Sequence, residues 1–156
     1  MSRGSPVIDH LGIGVSDLAT SRTFYERALA PLGLRVLYGD ERSLAIGSDG
    51  ADDFALHIGG ATTTGMHVAF VAGSKEMVDA FHAAALAAGG RDNGAPGYRP
   101  QYHRGYYGAF VFDQDGNNVE AVFHDWKMAQ GTAPTGRGDA SGGARGGGGP
   151  NGRRPR

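Results

Sequence analysis

The chain has 156 residues, 40% of them hydrophobic, and a formal net charge of −1, enough for one folded domain with its own core. It contains no cysteine, which excludes disulfides and thiolate-held metals. No apolar run is long enough to span a bilayer and Met1 to Pro6 has no signal-peptide pattern, so a cytoplasmic protein without membrane contact is expected.

After a short N-terminal extension, residues 1–5, the spacing predicts a strand over Val7 to Val15. Ile8, His10, Gly12 and Gly14 share one face of it, and Val7, Leu11, Ile13 and Val15 the other. Ser16 is placed to cap a helix whose Leu18, Phe24, Tyr25, Ala28 and Leu32 form an apolar stripe, with Gly33 as its stop. Three further strands are expected over Leu34 to Tyr38, Ser43 to Gly47 and Asp53 to Ile58. A second unit repeats the pattern: a strand over Met66 to Val71, then a helix capped by Ser74, carrying Val78, Phe81, Ala85 and Ala88 and closed by Gly89-Gly90. Arg91 to Tyr107, rich in Gly, Pro, Tyr and Arg, reads as a long loop. Two strands follow, Tyr107 to Phe112 and Asn118 to His124, joined by a turn containing Asp115-Gly116.

The two units are one motif used twice. His10 to Gly33 superimposes without a gap on His67 to Gly90, matching His10 with His67, Phe24 with Phe81, Ala28 with Ala85, Leu29 with Leu86 and Gly33 with Gly90. The fold class expected is therefore α+β, with module one over about residues 6–60 and module two over about 65–125, together one domain spanning 6–130.

From 131 to 156 the composition changes to ten Gly and five Arg with no aliphatic larger than Ala, which reads as a disordered tail. Removing its five Arg and one Asp from the chain's 15 basic and 16 acidic residues leaves the folded part at −5. A nucleic-acid partner is accordingly not expected, beyond what the charge of the tail attracts.

A histidine at the equivalent strand position of both halves is hard to assign to packing twice over. Glu120, in the middle of an apolar strand, needs a cation, because burying a carboxylate alone costs several kcal/mol. Two strand histidines and one glutamate suit a divalent iron, manganese, zinc or similar ion with open positions left for substrate. Taken singly, each residue has a plainer role, a hydrogen-bonded strand histidine or a salt-bridged glutamate. Matching the ends of the two units puts Ala55 where symmetry would place a fourth ligand, and alanine cannot bind a metal. His57 shares that face roughly 6.6 Å further on, so it substitutes only through a register shift or bulge. His124 lies roughly 13 Å along the strand from Glu120, too far to share the ion, and reads as rim or surface.

Ile8-Asp9-His10-Leu11-Gly12-Ile13-Gly14-Val15-Ser16-Asp17-Leu18 with Phe24-Tyr25, His67-Val68-Ala69-Phe70, and Asp113-Gln114-Asp115-Gly116-Asn117-Asn118-Val119-Glu120 together resemble the vicinal oxygen chelate superfamily. That superfamily includes glyoxalase I, type I extradiol dioxygenases, fosfomycin-resistance thiol transferases and bleomycin-binding proteins. The resemblance covers about residues 6–125 and implies two tandem β-α-β-β-β modules forming a curved eight-stranded mixed sheet around a metal site. It implies one divalent ion, iron, manganese, zinc, nickel or cobalt, held by His10, His67 and Glu120, in a site built within one chain or from modules exchanged across a homodimer. Ala55 counts against a four-ligand glyoxalase and toward three-ligand relatives.

The function this implies is a metal-dependent enzyme acting on a small oxygen-chelating molecule, by dioxygenase-type or lyase/isomerase-type chemistry. The alternatives are a fosfomycin-resistance-like thiol transferase and a metal-free bleomycin-type binding protein. The polar segment Tyr98 to Tyr107 supplies the other candidates. His103 is placed to act as acid or base, Tyr102 and Tyr106 to donate to a bound oxyanion, and Arg99, Arg104 and Tyr107 to hold substrate.

Overall fold

A computed structural model describes residues 7–131; the N-terminal extension at 1–5 and the tail beyond Gly131 lie outside the described residues. Helix α1 runs over Leu18–Leu29 and buries Ser21, Phe24, Tyr25, Ala28 and Leu29, the spacing of a single helical face. Its cap is Asp17, whose carboxylate accepts from the Thr20 N–H at 2.6 Å, and not the expected Ser16. Ser16 is occupied elsewhere, its backbone N–H and hydroxyl both donating to Asp115. Pro31 lacks the N–H that would continue the α-helix, so Ala30–Leu32 tightens into a 3₁₀ turn that ends on Gly33 at φ 84°. Helix α2, Lys75–Ala87, is capped as expected by Ser74, which accepts from the Met77 N–H, and buries Val78, Phe81 and Ala85.

Around these helices eight strands form two four-stranded mixed sheets, one from each module. The first contains β1 (Leu11–Gly14), β2 (Arg35–Gly39), β3 (Ser43–Ser48) and β4 (Ala51–His57) in the order β1-β4-β3-β2. The second contains β5 (His67–Val71), β6 (Arg91–Tyr98), β7 (Tyr106–Phe112) and β8 (Asn118–His124) in the order β5-β8-β7-β6. In each the first strand pairs parallel to the last and the others are antiparallel, so each repeat unit is a β-α-β-β-β module. A short helix α3, Trp126–Gln130, follows β8.

Two expectations need correction. Strand β1 begins at Leu11, not Val7, and Val7 and Ile8 are 98% and 73% exposed. Pairing with β4 starts only at Leu11 with Phe54, and the register of β4 against β3 slips between Ile46 and Ser48, near the start of β4. The segment Arg91 to Tyr98 is a strand and not a loop. It is the edge of its sheet, where Pro96 and the glycines are tolerated, and it slips register between Asp92 and Gly94 and again before Gly97.

The two helices pack on the sheets and against each other, so both modules share one core that includes Ile13, Phe24, Leu29, Phe54, Phe81 and Val111. Phe54 of β4 meets Phe70 of β5 edge to face at 5.4 Å and Tyr25 of α1 at 5.0 Å. Gly90 marks how closely α2 comes down on this core: a Cβ there would stand 2.4 Å from Val111 Cγ1 and 2.7 Å from Phe24 Cε2. Gly90→Ala is expected to cost about 1–3 kcal/mol of stability by overpacking, read as a lowered urea midpoint with unchanged slope. Among the described residues no helix is long and apolar enough to cross a membrane.

Candidate metal and substrate site

Strand alternation decides what each sheet offers. In β7 and β8 Tyr107, Ala109, Val111, Val119, Ala121 and Phe123 turn toward the helices and join or line the core. Tyr106, Gly108 and Phe110, with Asn118, Glu120, Val122 and His124, therefore share the opposite face. On β5 His67, Ala69 and Val71 are the exposed residues. The register places Ala69 and Phe110 on either side of Glu120, so the carboxylate sits in the middle of this open face.

Glu120 is the one buried carboxylate there, its side chain 1% exposed beside a His67 that is 53% exposed. His67 Nε2 lies 2.8 Å from Glu120 Oε2, and the Tyr106 hydroxyl donates to Oε1. Burial, and then the bond to Glu120, push the Tyr106 phenol well above its ordinary pKa, so it stays a donor and fixes the carboxylate's orientation. Gly108 leaves the necessary room: a Cβ there would be 3.1 Å from Glu120 Oε1.

Beside this pair stands a cluster of rings. His103 Nε2 and His124 Nδ1 are 2.8 Å apart with their planes only 17° from parallel, an edge-to-edge imidazole pair. Trp126 lies parallel to both, its centroid 5.2 Å from each. The Gly105 N–H donates to His103 Nδ1, which puts the proton of neutral His103 on Nε2 and makes it the donor to His124. Both nitrogens of His103 are thus engaged within the protein. Tyr106 touches His103 at 5.5 Å and His124 at 5.4 Å, and the exposed Tyr102 ring covers Tyr106 at 4.8 Å. Neither His124 nor Trp126 was expected at the site. The signal for Trp126 was the Asp125 cap before a short run of helix formers, and its carboxylate indeed accepts from the Met128 N–H.

The remaining candidates divide. Arg99 curls over the Phe110 ring, 5.5 Å from its centroid, with Nη2 donating to the Ala95 carbonyl at 2.6 Å. Arg104 is exposed in the turn before β7. Tyr107 does not line this face, which corrects the sequence expectation. Alternation turns it toward α2, where its hydroxyl donates to Asp79 at 2.8 Å, and burial and that bond push its phenol up to about 12.

His10, the repeat counterpart of His67, lies one residue before β1 and outside the first sheet. The register of Gly12 with Ala55 repeats that of Ala69 with Glu120, so Ala55 is the symmetry counterpart of Glu120. Pairing of β1 with β4 runs without a slip from Phe54 to His57, so no bulge carries His57 into that place. His10 is exposed and bonded to Asp9 at 2.8 Å, and that bond raises its pKa. Among the described residues no three His, Cys, Asp or Glu side chains converge to hold a metal. Within one chain, then, His67 and Glu120 meet and His10 does not join them.

The profile of the Glyoxalase/Bleomycin resistance protein/Dioxygenase superfamily matches residues 7–121, the span that contains both modules and the His67–Glu120 pair. The chain belongs to this superfamily. Among solved structures, a glyoxalase/bleomycin resistance protein from Albidiferax ferrireducens T118 is 31% identical, covering 76% of this chain and 99% of its own, with a TM-score of 0.68. A glyoxalase/bleomycin resistance protein/dioxygenase family enzyme from Burkholderia phytofirmans PsJN, at 18% identity, covers 75% of this chain and 98% of its own, with a TM-score of 0.59. A glyoxalase-related enzyme from Fulvimarina pelagi, at 21% identity, covers 74% and 86%, again at 0.59. At those lower identities the likeness speaks for the fold alone. Comparison with curated proteins gives no match.

Proposed function

We propose that the chain is a metal-dependent enzyme of the glyoxalase/dioxygenase superfamily, acting on a small oxygen-chelating substrate by dioxygenase-type or lyase/isomerase-type chemistry. The observation that carries this reading is the buried Glu120, whose Oε2 lies 2.8 Å from the Nε2 of half-exposed His67 on an open sheet face. A carboxylate and an imidazole are a fitting donor set for a borderline divalent cation. The third donor is His10 of a second copy of this chain, since His10 stands exposed beside exposed Val7 and Ile8, an apolar edge that a homodimer would cover. When bound, the ion would supply Lewis acidity and open positions for substrate oxygens.

The chain's own groups then have distinct tasks. Tyr106 orients Glu120, His103 positions His124 through their shared bond, and Tyr102, 60% exposed, is free to donate to a bound oxygen. A metal-free binding protein is the second reading, favoured by the way His67 and Glu120 satisfy each other without an ion.

Metal analysis of the protein reconstituted with iron, manganese or zinc separates the two. About one ion per chain is expected, with Glu120→Gln lowering retention at least tenfold while circular dichroism is unchanged. Equal and negligible metal in both proteins supports the binding-protein reading instead. Oxygen uptake with catechols tests the dioxygenase branch.

A further inference from the structure

Arg99 is a cation held in place without a counter-charge. Its Nη2 and Nη1 donate to the carbonyls of Ala95 and Tyr98, at 2.6 and 3.4 Å, and carbonyls bring no net negative charge. The ion pairs among the described residues involve His10, Arg22, His67 and His82, and none includes Arg99. The space for the guanidinium is cut by glycines of the edge strand: a Cβ at Gly94 would be 3.3 Å from Nη2 and one at Gly97 3.0 Å from Nη1. Phe110 forms its floor, and His67 stands against the same ring, 6.2 Å between centroids. The charge of Arg99 is felt at Tyr106, where it opposes the upward push of burial and Glu120.

A guanidinium has five N–H donors, of which the two carbonyls use two, so a planar fork is left for a ligand. A half-buried charge with no counter-charge is costly, and an anion that arrives with the substrate offsets that cost. We infer that Arg99 is a specificity-determining residue that selects substrates bearing a carboxylate, on a Phe110 ring it shares with His67 of the pair at which their other oxygens would chelate. This rests on the placing of the substrate at that pair, though the anion subsite itself needs no metal.

Trp126 is the only tryptophan of the chain and stacks on the imidazoles that touch Tyr106, so its fluorescence reports on this face. Catechol and 3,4-dihydroxybenzoate, which differ by the carboxylate, are titrated into the full chain in metal-loaded and chelator-treated forms, with calorimetry as a second readout. The acid is expected to bind about tenfold or more tighter than catechol in both forms, the scale of a charge-assisted bond. Arg99→Gln should abolish the preference by weakening only the acid, and Arg99→Lys, which keeps the charge but not the fork, should restore part of it. Equal affinity for the two probes in the wild type, no binding of either, or equal weakening of both by Arg99→Gln overturns the assignment. A preference that survives chelation in a protein retaining no metal would uphold Arg99 while the metal reading fails. Metal-dependent catechol binding without any preference for the acid would do the reverse.

Discussion

Asp113→Ala is expected to remove about 3–5 kcal/mol of stability, the largest loss predicted for any single polar substitution in this fold. Asp113 is buried at the end of β7, and its two oxygens accept from four donors. Oδ1 takes the backbone N–H groups of Asp115 and Asn117 at 2.9 Å each, closing the turn whose left-handed residue is Gly116. Oδ2 takes the Asn117 amide at 3.0 Å and the Tyr25 hydroxyl at 2.6 Å. Tyr25 and Asn117 are fully buried, so alanine would leave the Tyr25 hydroxyl and the Asn117 backbone N–H without the acceptor they use here. The cost reaches beyond the turn, because the turn is where module two is tied to module one. Asn117 also donates to the Thr63 carbonyl and accepts from the Met66 N–H, and Asp115 accepts from Ser16. Urea unfolding measures the effect. Tyr25→Phe, which deletes one bond and leaves three, should lose only about 1–2 kcal/mol. A loss below that from Asp113→Ala would mean that the turn does not clamp the modules.

This clamp shows what could and could not be read from the sequence. Asp115-Gly116 marked the hairpin because its chemistry is local, a left-handed glycine between two alternating strands. Ser74 was legible as a cap for the same reason, whereas Ser16 and Asp17 were adjacent competitors. A contact 99 residues away, Ser16 with Asp115, decided between them. The strand β6 was hidden because Gly94, Pro96 and Gly97 argue against a central strand, and only the sheet order reveals an edge.

The candidate ligands show the same division. The equivalence of His10 with His67, and of Ala55 with Glu120, is read from repeat and alternation; the strand registers repeat the second, Gly12 with Ala55 matching Ala69 with Glu120, while His10 lies just before β1 and has no strand partner. Where the two halves of the site stand relative to each other depends on how the modules dock. Tyr25, Phe54 and Phe70 join them through the helix-covered side, which leaves His10 and the His67–Glu120 pair apart within a chain. No periodicity carries that information, because alternation and helical spacing fix which face of each element is apolar but not which module it meets.

That separation makes the strongest test of the proposed site a mixing experiment. If each ion is held by His67 and Glu120 of one chain and His10 of another, His10→Ala and Glu120→Gln homodimers are both defective, for different reasons. A heterodimer of the two variants behaves otherwise. One of its two sites combines both lesions, but the other joins the intact His10 of the Glu120→Gln chain to the intact His67 and Glu120 of the His10→Ala chain. Coexpression with two affinity tags isolates this heterodimer from both homodimers. Each homodimer is expected to retain at least tenfold less metal than the wild type, as the loss of one ligand in three should cause, and the heterodimer to recover about half of the wild-type content. The recovery cannot come from either chain alone, so it separates a shared site from a general loss of folding, which mixing would not repair. A heterodimer no better than its two defective parents would mean that the site is not shared between chains, and a His10→Ala homodimer with wild-type metal content would place His10 outside it.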